Sequence, residues 1–313
     1  MIHVRNLTKD YTFTRRQNIL SHREVQIIHA VKKLNFDIED GEKVGLIGLN
    51  GSGKSTTIKM LTGILTPTSG ELEVSGFSPQ KRDKRYLNQS GLAMGQRSCL
   101  FFDIPVRKSF EYYKEVYHIS DREYLDRIEE FDQILDIKKL LDTPVRKLSF
   151  GQRMKAELVC AMLHLPQVLL LDEPTVGLDA ITKENIFRFL NAINTRYHST
   201  ILLATHELEN IEKYCRRILV LKHGELIYDG CIDNFGNMSQ YRKFCVPRED
   251  YEQLSIHAIS AVETERGMEF IVDAGTVEYD ALIKKLMTSD LTVGKLSLED
   301  IIKSMERSSD ETD

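Results

Sequence analysis

The sequence predicts an α/β fold in which a buried parallel sheet carries its chemistry at the carboxyl ends of its strands. Three short aliphatic runs, KVGLIG (43–48), VLLLD (168–172) and TILLAT (200–205), are continuous rather than alternating, as strands covered on both faces must be. Each run leads directly into glycine or polar residues: the loop GLNGSGKST, the pair Asp172-Glu173, and the pair His206-Glu207. Ligands of open α/β sheets sit beyond the strand ends, so three such ends point to one shared site.

Composition sets the outer bounds. The chain has 313 residues, 42% hydrophobic and 28% charged, the profile of a globular protein with a full core and room for one large domain or two smaller ones. A net charge of -5 argues against nucleic acid as a partner, since that function calls for a basic face. The run KRDKR (81–85) reads as solvated surface. The five cysteines fall in no paired or metal-ligand spacing, and no signal peptide precedes them, so they read as reduced thiols of a cytosolic protein. No apolar run approaches the ~20 residues of a membrane helix. Work at a membrane would need another chain to cross it.

Taken in order, KVGLI is a strand and STTIKMLTGIL (55–65) the helix after it. Residues 105–163 read mostly as helix, with SFEYYKEVY and EYLDRIEEFDQILDI clearly periodic and Pro144 separating them from a further helix. That helix opens in KLSFGQRMKAEL (147–158): Ser149 can cap it, Gly151 uncovers backbone N–H groups in its first turn, and Met154, Leu158 and Met162 form its apolar stripe. RRILVLKHGELIYDG (216–230) reads as a hairpin turning at His223-Gly224. After about residue 235 the strand-end motifs stop. The remainder reads as a small α+β appendage, with MEFIVD and VGKL as strands, helices over 276–288 and 297–306, and a disordered tail, ERSSDETD.

The chemistry starts at Gly48, Leu49, Asn50, Gly51, Ser52, Gly53, Lys54, Ser55 and Thr56, which contain the pattern G-x-x-x-x-G-K-S. Its glycines let backbone N–H groups wrap phosphates, Lys54 neutralises the β and γ charges, and the Ser55 hydroxyl faces Mg²⁺. Asp172, ending a buried strand, suits the same metal. Glu173 is placed to polarise an attacking water as general base. His206, at a third strand end, reads as a γ-phosphate ligand. Gln96, after the short apolar run in GLAMGQRS, is from its chemistry either a loop residue or a metal or water ligand. The uncovered helix start at 149–152 is a second anion cradle, and one chain has no evident use for two.

In combination these motifs resemble the ATP-binding subunits of ABC transporters, over roughly residues 1–235. GLNGSGKST is similar to their Walker A motif, Gln96 to their Q-loop, LSFGQ (148–152) to their signature, VLLLDE to Walker B, VGLD (176–179) to the D-loop and His206 to the switch histidine. All six occur in the family's order, and LSFGQ is specific to it. The resemblance implies a P-loop ATPase domain with a helical subdomain at about 97–163, followed by a small accessory domain at 236–313. It implies ATP and Mg²⁺ as ligands, with Ser55, Gln96 and Asp172 around the metal and Glu173, His206, Gln96 and Lys54 in catalysis. It also gives the second cradle a use. Two subunits, identical or related, would close head-to-tail so that Ser149, Gly151 and Gln152 of one cap the ATP of the other, with Asp179 at the shared interface. The implied partners are that second subunit and an integral-membrane permease, with the protein cytoplasmic and peripheral on the inner face of the cell membrane. The ending LSLEDIIKSM is similar to that of exporter-type subunits. A soluble ABC ATPase without a transport role is the rival reading; the second cassette, coiled-coil insertion or basic face usual in such proteins is not visible here.

Two positions depart from the pattern. Phe150 stands where the signature usually has glycine, with Ser149 and Gly151 retained on either side. Tyr11 resembles the aromatic that stacks on adenine, but residues 12–30 lengthen the gap to the P-loop strand, leaving Phe13 as a substitute; the insert is expected to be a surface loop, with a membrane or subunit contact as the alternative. Leu100, Phe101, Phe102 and Ile104, just after Gln96, are expected either as core or as a docking groove for a permease helix.

Overall fold

The structure is a computed structural model that describes residues 1–15, 24–95, 97–207, 211–238, 241–254, 258–264, 267–275, 282–283, 292–294, 296, 300–302 and 304. The chain divides into two compact units, Met1–Asp229 and Gly230–Asp313. In chain order the first holds β1 (Ile2–Arg15), β2 (Glu24–Ile38), β3 (Lys43–Ile47), α1 (Lys54–Leu61), β4 (Ser69–Val74), α2 (Lys84–Leu87), β5 (Ser90–Met94), α3 (Val106–Val116), α4 (Asp121–Leu135), α5 (Phe150–Met162), β6 (Val168–Asp172), α6 (Ala180–Tyr197), β7 (Thr200–Thr205), α7 (Ile211–Tyr214), β8 (Arg217–Lys222) and β9 (Glu225–Cys231), the last running into the second unit.

A six-stranded sheet of order β5-β6-β7-β3-β8-β9 forms the centre, with β5 through β8 all parallel to their neighbours. Every residue of β6 and β7 is buried, which is why their sequences run without polar interruption. The register sets Asp172 beside Ala204 and Ile47 beside Thr205. Asp172, His206 and the loop beginning at Gly48 therefore leave the sheet along one edge, as the three strand ends predicted.

A second sheet, β2-β1-β4, is antiparallel and shares its buried face (Ile2, Val4, Phe36, Val74) with α1 and the central strands. It corrects the expectation of a surface loop over 12–30. Strand β1 continues to Arg15 and β2 starts at Glu24, with Tyr11 opposite Ile28, Thr12 opposite Ile27 and Phe13 opposite Gln26. The β-branched stretch EVQIIHAV gains a paired backbone in this way, although Phe13, Val25, Ile27 and Ile28 stay exposed. Residues 16–23 of the insert lie outside the described residues.

The helical block contains α3, α4 and α5, as periodicity indicated. Ser120 opens α4 with a capping box: its hydroxyl accepts from the Glu123 N–H at 3.3 Å, and the Glu123 carboxylate accepts from the Ser120 N–H at 3.0 Å. Helix α4 meets α6 through Phe131 and Phe189, edge to face at 5.2 Å with both rings buried. Of the apolar group after Gln96, only Leu100 joins the core. Phe101 (41% exposed), Phe102 (59%) and Ile104 (39%) face outward. Among the described residues no helix is long and apolar enough to cross a membrane.

The second unit adds α8 (Ile232–Met238), β10 (Tyr241–Val246), α9 (Arg248–Leu254), β11 (Ser260–Thr264), β12 (Gly267–Asp273) and β13 (Thr292–Gly294). Its antiparallel sheet has the order β11-β12-β10-β13, around a small core that includes Phe244, Val246, Phe270 and Val272. MEFIVD falls within β12, and VGKL contributes only Val293 and Gly294 to β13; β10, from YRKFCV, was not foreseen. The expected helices at 276–288 and 297–306 fall mostly outside the described residues, which include helical Leu282, Ile283, Asp300, Ile301, Ile302 and Ser304. The tail ERSSDETD lies outside them entirely.

Because Phe131 joins the helical block to α6, Phe131→Ala is expected to destabilise the protein by about 3–5 kcal/mol, read as a lower urea midpoint at unchanged slope.

Candidate nucleotide site

Between the end of β3 and the start of α1, six residues turn with little room for side chains. A Cβ at Gly48 would come within 2.3 Å of the Leu221 carbonyl oxygen, and one at Gly53 within 2.7 Å of the Ala30 carbonyl oxygen. Gly53 also sits at φ 104°. Among the described residues, α1 has neither a side-chain cap nor an acidic residue in its first turn, so its N–H groups and positive dipole end face the loop. The Ser52 hydroxyl is buried with no hydrogen-bond partner among them. A buried hydroxyl without a partner, at a helix start that no side chain caps, fits an anionic oxygen. Lys54 is 5% exposed; its Nζ donates to the carbonyls of Gly48 at 2.7 Å and Leu49 at 3.0 Å and stands 3.7 Å from Glu173 Oε1.

The acidic strand end closes the site from the other side. Ser55 Oγ donates to Asp172 Oδ1 at 2.9 Å. Burial raises the Asp172 carboxyl above its usual range, and the Ser55 hydroxyl partly offsets this. An alcohol and a carboxylate held together are an oxygen donor set suited to Mg²⁺. Glu173 has φ 54°, a left-handed conformation costing a non-glycine residue about 1–2 kcal/mol, of the kind that gathers at reactive strand ends. Its backbone N–H is fixed to the Ala204 carbonyl at 2.9 Å, and its Oε1 lies 2.8 Å from His206 Nδ1. Gly95 lies against the same turn: its N–H donates to the Asp172 carbonyl at 2.9 Å, and a Cβ there would come within 2.5 Å of the Glu173 carbonyl oxygen. Gln96 lies outside the described residues.

These groups share a cavity of about 830 Å³ whose walls include Lys54, Glu173, His206, Tyr11, Phe150 and Arg153. Asn50, Gly51, Gly53, Ser55 and Thr56 line it too, and Ile28 flanks Tyr11. Tyr11 is thus brought to the site, while Phe13 sits farther out and is exposed.

Ser149 opens α5 as expected. Its hydroxyl accepts from the Gln152 N–H at 3.2 Å, and the Gln152 side chain accepts from the Ser149 N–H at 2.9 Å. Gly151 faces Thr182, where a Cβ would come within 3.1 Å. Asp179 caps α6, accepting from the Thr182 N–H at 2.9 Å and its hydroxyl at 2.7 Å, and these bonds hold its carboxyl below the usual range.

Sequence reasoning missed several contributors. Phe150 and Arg153 both line the cavity, with the guanidinium 5.2 Å from the ring centre; their i, i+3 spacing at the helix start was the available signal. Glu157, buried in α5, accepts from the Cys99 N–H at 3.0 Å, the Cys99 thiol at 2.7 Å and the Ser98 hydroxyl. No sequence signal marked it beyond a charged residue on an apolar stripe.

If Gly53 must stay bare, Gly53→Ala strains φ and drives a methyl into Ala30. A fluorescent ATP analogue is expected to bind it at least about tenfold more weakly than wild type, in a folded protein.

Comparison with known proteins follows the same lines. Residues 31–176 match the family model described as "ABC transporter". The chain is 31% identical over 209 residues to the ABC transporter ATP-binding protein NatA of Bacillus subtilis, covering 67% of this chain and 85% of that one. It is 30% identical over 280 residues to the methionine import ATP-binding protein MetN 2 of Bacillus licheniformis, covering 88% and 77% respectively. A solved dimeric ATP-binding cassette in a post-hydrolysis state, bound to ADP and Pi, superposes with a TM-score of 0.62 at 25% identity, over 74% of this chain and 99% of that one. Fold, motif order and relatives agree, and the chain belongs to the ATP-binding subunits of ABC transporters.

Proposed function

We propose that this protein binds MgATP, pairs with a second ATP-binding subunit around two nucleotides, and hydrolyses them to drive a separate membrane-spanning permease. The observation that carries this reading is the convergence of Lys54, Ser55, Glu173 and His206 on one cavity, with Asp172 bonded to Ser55 just behind its wall. The phosphates would lie against the N–H groups of residues 48–56, with Lys54 turning from its own loop carbonyls to the β and γ oxygens. Mg²⁺ would be held by Ser55 and Asp172, with Gln96 beside it, and would offset charge on the phosphate oxygens. As the water oxygen bonds to the γ-phosphorus, its proton passes to Glu173 and the bond to the β-phosphate oxygen breaks, leaving ADP and inorganic phosphate. His206 orients Glu173 through the 2.8 Å contact and reaches the γ-phosphate.

The ATPase domain is taken as residues 1–235, with the helical subdomain at about 97–163 and the accessory domain at 236–313. Ser149, Gly151 and Gln152 would cap the partner's nucleotide, with Asp179 at the interface. The dimeric cassette among the similar structures supports this arrangement. The protein would work in the cytoplasm, at the inner face of the cell membrane. An exporter-type system is proposed on the ending LSLEDIIKSM; the relative MetN 2 is named for import, so direction rests on that ending alone.

Glu173→Gln keeps the shape and removes the base. Its turnover is expected to fall at least about a hundredfold while ATP still binds and ATP-bound dimers accumulate in size-exclusion chromatography. Turnover near the wild-type rate would refute the role given to Glu173.

The exposed Phe101 and Phe102 are proposed as the dock for a permease helix, since exposed aromatics beside a site loop suit a partner surface. Phe101→Ala and Phe102→Ala should each change the isolated subunit's stability by about 0.5 kcal/mol or less and leave ATP binding intact, while co-purification with the permease is lost. A steep fall in melting temperature in both would assign the rings to packing instead.

A further inference from the structure

Two consecutive residues after the end of β7 make different contacts. His206 reaches Glu173; Glu207 reaches the segment that follows Glu173. Glu207 Oε2 accepts from Lys183 Nζ at 2.8 Å and from Thr175 Oγ1 at 3.3 Å, while its backbone N–H is held by Thr205 Oγ1 at 2.9 Å. Thr175 is buried two residues beyond Glu173, and Lys183 lies in the first turn of α6. A single carboxylate oxygen thus brackets residues 175–183, the stretch that contains Asp179. The ion pair is shielded, with side-chain exposures of 19% for Lys183 and 26% for Glu207, so it exceeds an ordinary surface pair.

We propose that Glu207 is a positioning residue that ties the end of β7 to segment 175–183 and so holds His206 in register with Glu173. It sets the rate of hydrolysis and leaves ATP affinity unchanged. The inference rests on the ATPase reading above. His206 and Glu207 share one peptide unit, so a backbone rotation that frees Glu207 from Lys183 also moves His206 Nδ1 away from Glu173 Oε1. A shift of about 1 Å in a catalytic group can cost about a hundredfold in rate. Motion of segment 175–183, as when a partner subunit approaches Asp179, then reaches the switch histidine through Glu207.

The test is steady-state MgATP hydrolysis with direct nucleotide binding on the full chain. Glu207→Ala and Lys183→Met should each lower kcat at least about tenfold, with KM and the Kd of a non-hydrolysable analogue within about twofold of wild type. The double variant should be no slower than the worse single, and the swap Glu207→Lys with Lys183→Glu should restore part of kcat. A purely structural pair would move the melting temperature without this split between kcat and KM. The proposal is overturned if both singles keep kcat within about twofold of wild type, if their losses match weaker ATP binding, or if they add in the double variant. Should Glu207→Ala not fold, Glu207→Gln and Lys183→Met are read by the same criteria. A wild-type protein without MgATP hydrolysis would instead overturn the ATPase reading itself.

Discussion

Parallel pairing of β3, β7 and β6 is the constraint from which the site follows. Three strands from distant parts of the chain run in one direction, and the register that sets Ile47 beside Thr205 and Asp172 beside Ala204 brings their last residues to one line. Parallel strands must be covered on both faces, so their interiors are purely apolar and polar groups can emerge only at the ends. The P-loop, Asp172-Glu173 and His206 are those ends. Separations of more than a hundred residues in sequence become the 2.9 Å from Ser55 to Asp172 and the 3.7 Å from Lys54 to Glu173.

The glycines around the cavity serve the same constraint. Gly53 must lie against Ala30 of β2, and Gly95 against the Glu173 carbonyl, because at these two points backbone packs directly on backbone. Backbone walls present N–H groups at fixed positions, which suits phosphate oxygens and needs little reorganisation when charge develops. The side chains that do enter, such as Lys54 and Glu173, are each held by a second contact.

Much of this was legible in the sequence, and the boundary of legibility has physical causes. Strands β3, β6 and β7 announced themselves because burial on both faces leaves an uninterrupted aliphatic run. The P-loop did so because its geometry tolerates few residues at fixed spacing. Ser149 was readable as a helix start because capping is a local interaction, whereas the Gln152 side chain that completes the capping box was not read as part of it. The 12–30 arm was not readable: its exposed valine and isoleucines carry no inside-outside alternation, and its pairing depends on a strand a dozen residues away. Glu207 was visible as a polar residue at a strand end and Arg153 by its spacing from Phe150, but their partners, like those of Glu157, were not. A single charged residue acquires meaning only from the partners that folding brings to it, here Cys99, Phe150 and Lys183.

Glu157 has a mechanical meaning as well. Its carboxylate is shut away from water inside α5 and takes hydrogen bonds from the two residues that precede Leu100. Separating these partners would leave a buried carboxyl group without its hydrogen bonds, a cost of about 1–3 kcal/mol. The helix that begins at Ser149 and the strip of chain leading to Phe101 and Phe102 are therefore stiffly joined. A tilt of α5 would carry the strip before Phe101 with it through this one carboxylate.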